Sequence, residues 1–335
     1  MSIDQLAAIA QAMVAPGKGI IAIDESTATI KKRFDSVGID CTEENRRAYR
    51  EMLLTTPKLG QHISGAILYD ETLRQKTKSG VPFTKVMMDN GILPGIKVDL
   101  GAKPLAGFPG ELVTEGLDGL RERLKEYAQL GAKFAKWRAV ITIGEDAPSG
   151  TCIEANCHAL ARYAALCQEA GIVPMVEPEV LMDGEHDIDT CYEITEVTLR
   201  SLFGALYEHN VMLEGTILKA SMVVSGKDAP EQASVEEVAE MTLRCLKSSV
   251  PATLPGIVFL SGGQSDEDAT AHLDAMNRLG PKPWPLSFSY GRAMQSAALK
   301  LWSKDLAGNV GVAQETVFAR ARDNGLAALG QWKKA

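Results

Sequence analysis

Eight short apolar runs set the terms on which this chain can fold: Gly19–Asp24, Gly65–Tyr69, Ile92–Val98, Ala132–Arg138, Ile172–Val180, Gly215–Met222, Gly256–Leu260 and Pro285–Tyr290. Several are near-continuous rather than alternating, the pattern of strands buried on both faces. Helical stretches separate many of them. Leu120, Leu124, Tyr127 and Leu130 fall on one helical face that Gly131 can terminate, and Ile153, Cys157, Leu160, Ala164 and Cys167 form another, followed by Gly171. Parallel neighbours need such crossovers, so the runs predict an α/β fold, a closed (β/α)8 barrel in one domain spanning residues 1–335. A doubly wound open sheet is the alternative. It fits less well, because charged residues close so many runs instead of gathering at one switch point.

Those charges are the second constraint. Lys97 closes Ile92–Val98, Lys136 and Arg138 close Ala132–Arg138, Glu177 and Glu179 close Ile172–Val180, and Lys219 closes Gly215–Met222. A charge inside a packed core costs several kcal/mol unless it is paired or used. A single case would read as a paired core charge; recurrence on four runs predicts one polar cavity at a common end of the sheet. Side chains two apart on a strand share a face, so Lys136 joins Arg138 and Glu177 joins Glu179. Salt-bridged pairs facing solvent are the competing reading. Flanks such as Phe134, Ala135, Val173, Met175 and Val176 oppose it, because an exposed strand would alternate more.

Composition excludes several function classes. The 335 residues carry a net charge of −8, with no basic run or RNA-type aromatic motif, which argues against nucleic acid as a partner. Six cysteines form no CxxC pair and read as thiols in a reducing cytosol. Five histidines show no HxxxH pattern, so no protein-bound metal is expected. Leu6–Ala15 follows Asp4 without a preceding Lys or Arg and ends at Pro16–Gly17. With Ile3, Leu6, Ile9, Ala10 and Met13 on one face, it reads as an amphipathic first helix rather than a signal peptide, and nothing is long enough to span a membrane.

Three lysines reaching one cavity invite amine chemistry. An amine attacks only when unprotonated, and the reference lysine pKa is about 10.4. A second cation about 6 Å away, at an effective dielectric near 20, disfavours the ammonium by roughly 2.8 kcal/mol, or about two pKa units. Partial burial acts in the same direction, so a Schiff base with a ketone becomes accessible. Nearby carboxylates oppose the shift but can move the protons that imine formation requires. Spacing alone does not choose among Lys97, Lys136 and Lys219.

Two glycine-bearing loops point to phosphate. Ser261-Gly262-Gly263-Gln-Ser265 follows the seventh run, and Ser265 with Asp268 forms a capping box that opens a helix. Ser289-Tyr-Gly291-Arg292 follows the eighth. Either alone reads equally well as an ordinary turn, but these two loops are the habitual phosphate site of a (β/α)8 barrel. At the first run, Asp24-Glu-Ser26 precedes Thr29 and Arg33. Asp24 alone would read as a helix cap, whereas the hydroxyls with Arg33 and Lys97 can hold a second anion. Two phosphate sites flanking a lysine cluster describe a bisphosphorylated ketose or its halves.

Together these motifs resemble class I fructose-bisphosphate aldolase over nearly the whole length. The resemblance is carried by Asp24-Glu-Ser-Thr, Thr42-Glu-Glu-Asn-Arg-Arg47, Gly95-Ile-Lys-Val-Asp99, Phe134-Ala-Lys-Trp-Arg138, Val176-Glu-Pro-Glu179, Leu213-Glu-Gly-Thr216, Leu260-Ser-Gly-Gly-Gln-Ser265 and Phe288-Ser-Tyr-Gly-Arg-Ala293. It implies reversible cleavage of fructose 1,6-bisphosphate to glycerone phosphate and glyceraldehyde 3-phosphate, in glycolysis and gluconeogenesis. It also implies a cytoplasmic homotetramer that uses neither metal nor cofactor and has sugar phosphates as its small-molecule partners. Lys219 becomes the Schiff-base residue and Glu177 the principal general acid/base. Asp24 handles the C4 hydroxyl proton, while Lys136 and Glu179 support the intermediates. Ser261, Gly262, Gly291 and Arg292 match the C1-phosphate site, with Gly263 and Ser289 in the same two loops. Ser26, Thr29, Arg33 and Lys97 match the contacts around the C6-phosphate, and Arg138 lies near the substrate.

Three departures stand out. Thr29 replaces a serine of animal members but keeps the hydroxyl. Ala220-Ser221 follow the expected nucleophile where Pro-Asn is common. The sequence stops at Gln331-Trp-Lys-Lys-Ala335, without the long tyrosine-ended tail, which leaves tail-assisted proton transfer unsupported. Transaldolase, which also uses a barrel lysine, is disfavoured by the two phosphate sites, and a non-catalytic scaffold by the intact Asp24, Lys136, Glu177 and Lys219 set.

Overall fold

The computed structural model describes residues 3–334, without the Ile3 side chain. Eight strands build the core: β1 (Gly19–Ile23), β2 (Ile63–Leu68), β3 (Leu93–Lys97), β4 (Phe134–Ile141), β5 (Val173–Val180), β6 (Ile217–Ala220), β7 (Ile257–Phe259) and β8 (Leu286–Tyr290). Each pairs in parallel with its sequence neighbour and β8 closes on β1, so the sheet is the barrel expected from the runs and not the open alternative. Boundaries differ in one informative place. β4 continues to Ile141, so Lys136 and Arg138 lie mid-strand rather than at its end. A two-stranded antiparallel ribbon, Ala102–Pro104 with Leu112–Thr114, is an addition that no apolar run announced.

The pleat divides each strand between two cores. Outward residues such as Ile21, Ile23, Ala135, Trp137, Ala139, Leu218, Phe259 and Tyr290 pack on the surrounding helices. Inward residues form a separate cluster of Ile20, Ala22, Ile67, Phe134, Val173, Met175, Ile217 and Val258. The Phe134 ring fills the barrel axis because its neighbours there are glycines. A Cβ on Gly95 would come within 2.2 Å of that ring.

The first helix, Ile3–Met13, closes the N-terminal end of the barrel. Leu6, Ala10 and Met13 join the inward cluster with Ile9 packed against it, as the amphipathic pattern predicts, and Val14 adds to them; the Ile3 side chain lies outside the described residues. Burying a Leu or Met side chain contributes about 1.5–3 kcal/mol, so this helix is a firm plug. With that end sealed by hydrocarbon, a cavity along the axis opens only at the strands' C-terminal ends. No helix among the described residues is long and apolar enough to cross a membrane. All six cysteines are free thiols, and burial raises Cys152 to about 11.

Candidate active site

Two residues of strand advance the chain by about 6.6 Å. That step carries β4 from Phe134 in the apolar plug to Lys136, and then to Arg138, on the same inward face. β5 does likewise from Met175 to Glu177 and Glu179, and β6 from Ile217 to Lys219. The barrel axis thus passes from hydrocarbon to charge within one pleat repeat.

The charged layer lines a cavity of about 200 Å³ together with Asp24, Ser26, Thr29, Arg33, Lys97, Ser261, Gly262, Ser289, Gly291 and Arg292. Fifteen of the sixteen predicted site residues therefore meet in one place. Gly263 is the exception. It sits at φ +100°, and its missing Cβ leaves room for Met182 and the Arg292 guanidinium. A larger groove of about 440 Å³, lined by Asp274, Arg278 and Trp332 among others, contains none of the predicted site residues.

Pairing within the layer is unequal, and that inequality is chemically informative. Lys136 Nζ lies 2.7 Å from Asp24 Oδ2 and 3.3 Å from Glu177 Oε2. Lys219 Nζ lies 2.9 Å from Glu177 Oε1, its one carboxylate partner within ion-pair distance among the described residues. Lys97 sits nearer the mouth, 3.5 Å from Asp99. Burial opposes the Lys136 charge, but Asp24 and Glu177 outweigh it and hold the ammonium above the ordinary lysine value. At Lys136 the nearby carboxylates, which oppose the effect of clustered cations, prevail, because Asp24 and Glu177 both stand against its ammonium. In return, Lys136 and Lys219 overcome burial and hold Asp24 and Glu177 below the usual carboxylate range. Arg138 is likewise fixed as a cation, hydrogen-bonded through Nε to Glu179.

The two glycine-bearing loops follow the local chemistry of their residues. Gly262 and Gly263 adopt φ +57° and +100°, a conformation open to glycine and strained for other residues. Ser265 caps the helix Asp266–Arg278, accepting from Asp268 N at 3.0 Å, as the capping box predicts. Gly291 caps the helix Arg292–Trp302, so that helix presents its N-terminus to the cavity. The Ser289 hydroxyl is buried and has no hydrogen-bond partner among the described residues, which leaves it as a donor for a bound anion. Ser26 and Thr29 stand at the N-terminus of the helix Thr27–Asp35, their hydroxyls 3.1 Å apart.

Set beside known proteins, residues 5–335 match the family described as fructose-bisphosphate aldolase class-I. The chain belongs to that family. It is 78% identical over 333 residues to a probable class 1 fructose-bisphosphate aldolase of Xanthomonas campestris pv. campestris, covering 99% of this chain and 100% of that protein. It is 54% identical to fructose-bisphosphate aldolase 1 of Toxoplasma gondii, covering 98% of this chain and 91% of that one. A Plasmodium falciparum fructose-bisphosphate aldolase, solved with TRAP and a small-molecule inhibitor, superposes with a TM-score of 0.98. That structure shares 47% identity and covers 99% of this chain and 96% of its own.

Two site residues of this aldolase escaped sequence reasoning. Glu25 lines the cavity and bonds Arg33. Asp99 is buried beside Lys97, and its carboxylate accepts from Gly101 N at 3.2 Å and Arg138 N at 3.3 Å, joining the loop after β3 to the middle of β4. Both stand inside quoted motifs, and the only available signal was an acidic residue next to another functional one.

Proposed function

We propose that this class I fructose-bisphosphate aldolase forms its Schiff base at Lys219, with Glu177 as the proton shuttle and Asp24 as the base for carbon–carbon cleavage. One observation carries the reading: among the described residues Lys219 has a single carboxylate partner, at 2.9 Å, whereas Lys136 is held by two. Passing one proton to Glu177 gives Lys219 a free amine beside an acid able to return that proton.

The sequence of steps follows from that geometry. The Lys219 amine adds to the C2 carbonyl of the open-chain ketose, and the carbinolamine hydroxyl leaves as water after protonation by Glu177. The resulting protonated imine is the electron sink. Asp24, kept ionised by Lys136, accepts the C4 hydroxyl proton as the C3–C4 bond breaks. Glyceraldehyde 3-phosphate departs, and the enamine left on Lys219 is protonated at C3 and hydrolysed to glycerone phosphate. Lys136 remains an ammonium throughout and stabilises charge on Asp24 and Glu177, while Glu179 holds Arg138 at the substrate.

Phosphate placement is part of the same proposal. Ser261, Gly262, Ser289, Gly291 and Arg292 take the C1-phosphate, and Gly263 gives the Arg292 side chain its space. Ser26, Thr29, Arg33 and Lys97 take the C6-phosphate. We read residues 1–335 as one domain and the working enzyme as a cytoplasmic homotetramer; the 84% exposure of Tyr207 suits an assembly contact, which sedimentation tests.

Borohydride reduction in the presence of glycerone phosphate, followed by peptide mass spectrometry, tests the nucleophile. The adduct is expected on Lys219. Label on Lys97 or Lys136 with Lys219 untouched overturns the assignment.

A further inference from the structure

Arg33 does not stand free at the cavity. Its Nη1 bonds Glu25 Oε1, and the Glu25 side chain is 4% exposed against 23% for Arg33. Taken alone, the pair is electrically neutral, a poor arrangement for meeting a dianionic phosphate ester.

The remainder of the cluster lies behind Glu25. Arg50, on the helix Glu43–Leu54, is 1% exposed, and its Nη2 donates to Glu25 Oε2 at 3.3 Å and to the Glu25 carbonyl at 3.1 Å. Arg50 Nε and Nη1 make no hydrogen bond among the described residues. Gln295, on the helix that Arg292 begins, donates to Glu25 Oε1 at 3.1 Å and to the Ala22 carbonyl at 2.6 Å. Tyr49 donates to Gln295 Oε1 at 2.9 Å. Glu25 therefore ties the end of β1 to three helices, two of which carry Arg33 and Arg292.

We infer that Glu25 and Arg50 are positioning residues: Glu25 fixes the Arg33 guanidinium at the cavity wall, and Arg50 cancels the carboxylate's charge from behind. Arg33 then meets a phosphate ester as a net cation, because one carboxylate and two guanidiniums sum to +1. A buried arginine with two unused donors is a costly way to pack a helix, which favours a role for its charge. A cation behind a partly screened carboxylate still acts at the cavity, since the intervening medium is protein rather than water. The inference rests on the reading of Arg33 as a C6-phosphate contact.

The test compares KM and kcat for fructose 1,6-bisphosphate and for fructose 1-phosphate, which lacks the C6 ester. Arg33→Ala should raise KM for the bisphosphate and spare the monophosphate. Arg50→Met should reproduce that pattern, with a bisphosphate KM roughly tenfold higher and kcat unchanged. The double variant Glu25→Gln/Arg50→Met restores the cluster to +1 and should recover most of the affinity. Glu25→Gln alone leaves two uncompensated guanidiniums and should make the bisphosphate KM rise more steeply with ionic strength. These last two variants carry the test if Arg50→Met does not fold.

Wild-type KM in Arg50→Met, beside a raised KM in Arg33→Ala, overturns the inference and spares the Arg33 reading. Equal kcat losses on both substrates, with the double variant no better than the single one, reduce the cluster to a fold support and also overturn it. No effect of Arg33→Ala removes the Arg33 reading and the inference together.

Discussion

Lys219 Nζ and Glu177 Oε1 stand 2.9 Å apart at the top of an apolar plug, and Lys136 approaches the other oxygen of the same carboxylate at 3.3 Å. Glu177 is thus shared by an ammonium that Asp24 also holds and one with no second carboxylate within ion-pair distance among the described residues. The shared carboxylate places two chemically identical side chains in different surroundings.

Replacing Lys219 by methionine keeps the side-chain volume and removes the amine. Cleavage should fall to background while folding is retained, and borohydride with glycerone phosphate should leave no adduct. Activity within tenfold of wild type would sink the Schiff-base assignment.

Glu177→Gln keeps the shape and hydrogen-bonding capacity but removes the group proposed to shuttle the proton. A general acid/base contributes about 10²–10⁴-fold, so kcat should fall by that order. Single-turnover trapping should show slow imine formation with phosphate binding intact. Wild-type imine formation would move the role to another acid, with Glu179 the first to examine.

The pH dependence follows from the direction of the shifts. Glu177 and Asp24 lie below their ordinary values of 4.5 and 3.8, because Lys136 and Lys219 outweigh burial. A lowered folded pKa means that the stability from the ionised form is present above the unfolded value and lost as pH falls through the folded one. The kcat/KM profile should therefore show no acidic limb from these groups above pH 4.5, the ordinary value of the higher one. Lys136→Met leaves burial less opposed, so the limb in residual activity should move upward. An unmoved limb in that variant would contradict the electrostatic account.

On the proposed C1-phosphate assignment, Arg292→Ala removes a charge-assisted contact worth typically about 1.5–3 kcal/mol. KM for the bisphosphate should rise roughly ten- to a hundredfold. A mutant that binds inorganic phosphate and substrate as wild type does would show that the C1-phosphate lies elsewhere.

Prolonged chelator treatment should leave cleavage unchanged, since the protonated imine is the electron sink. Loss of activity that zinc restores would instead indicate metal-dependent chemistry.

The barrel was legible because its signals are local. A strand buried on both faces must be apolar throughout, and alternation of side chains places Lys136 with Arg138 and Glu177 with Glu179 whatever the neighbours are. The capping residue Ser265 and the loop glycines were equally readable, because a cap or a positive φ depends on a few adjacent residues. The Ala102–Pro104 ribbon was not, since its strands are too short to show a period.

Pairing within the site belongs to the other category. Sequence alone determined that several cations and carboxylates would share one end of a parallel barrel, and family motifs narrowed their roles. Which carboxylate stands nearest each lysine depended on register between strands far apart in the chain, and so only the tertiary structure decided it. That distance separates Lys136, held by Asp24 and Glu177, from Lys219, which among the described residues stands beside Glu177 alone. The bond from Glu25 to Arg50 arose in the same way, from helix packing across 25 residues, because Coulomb energies follow distance in space and the sequence records only distance along the chain.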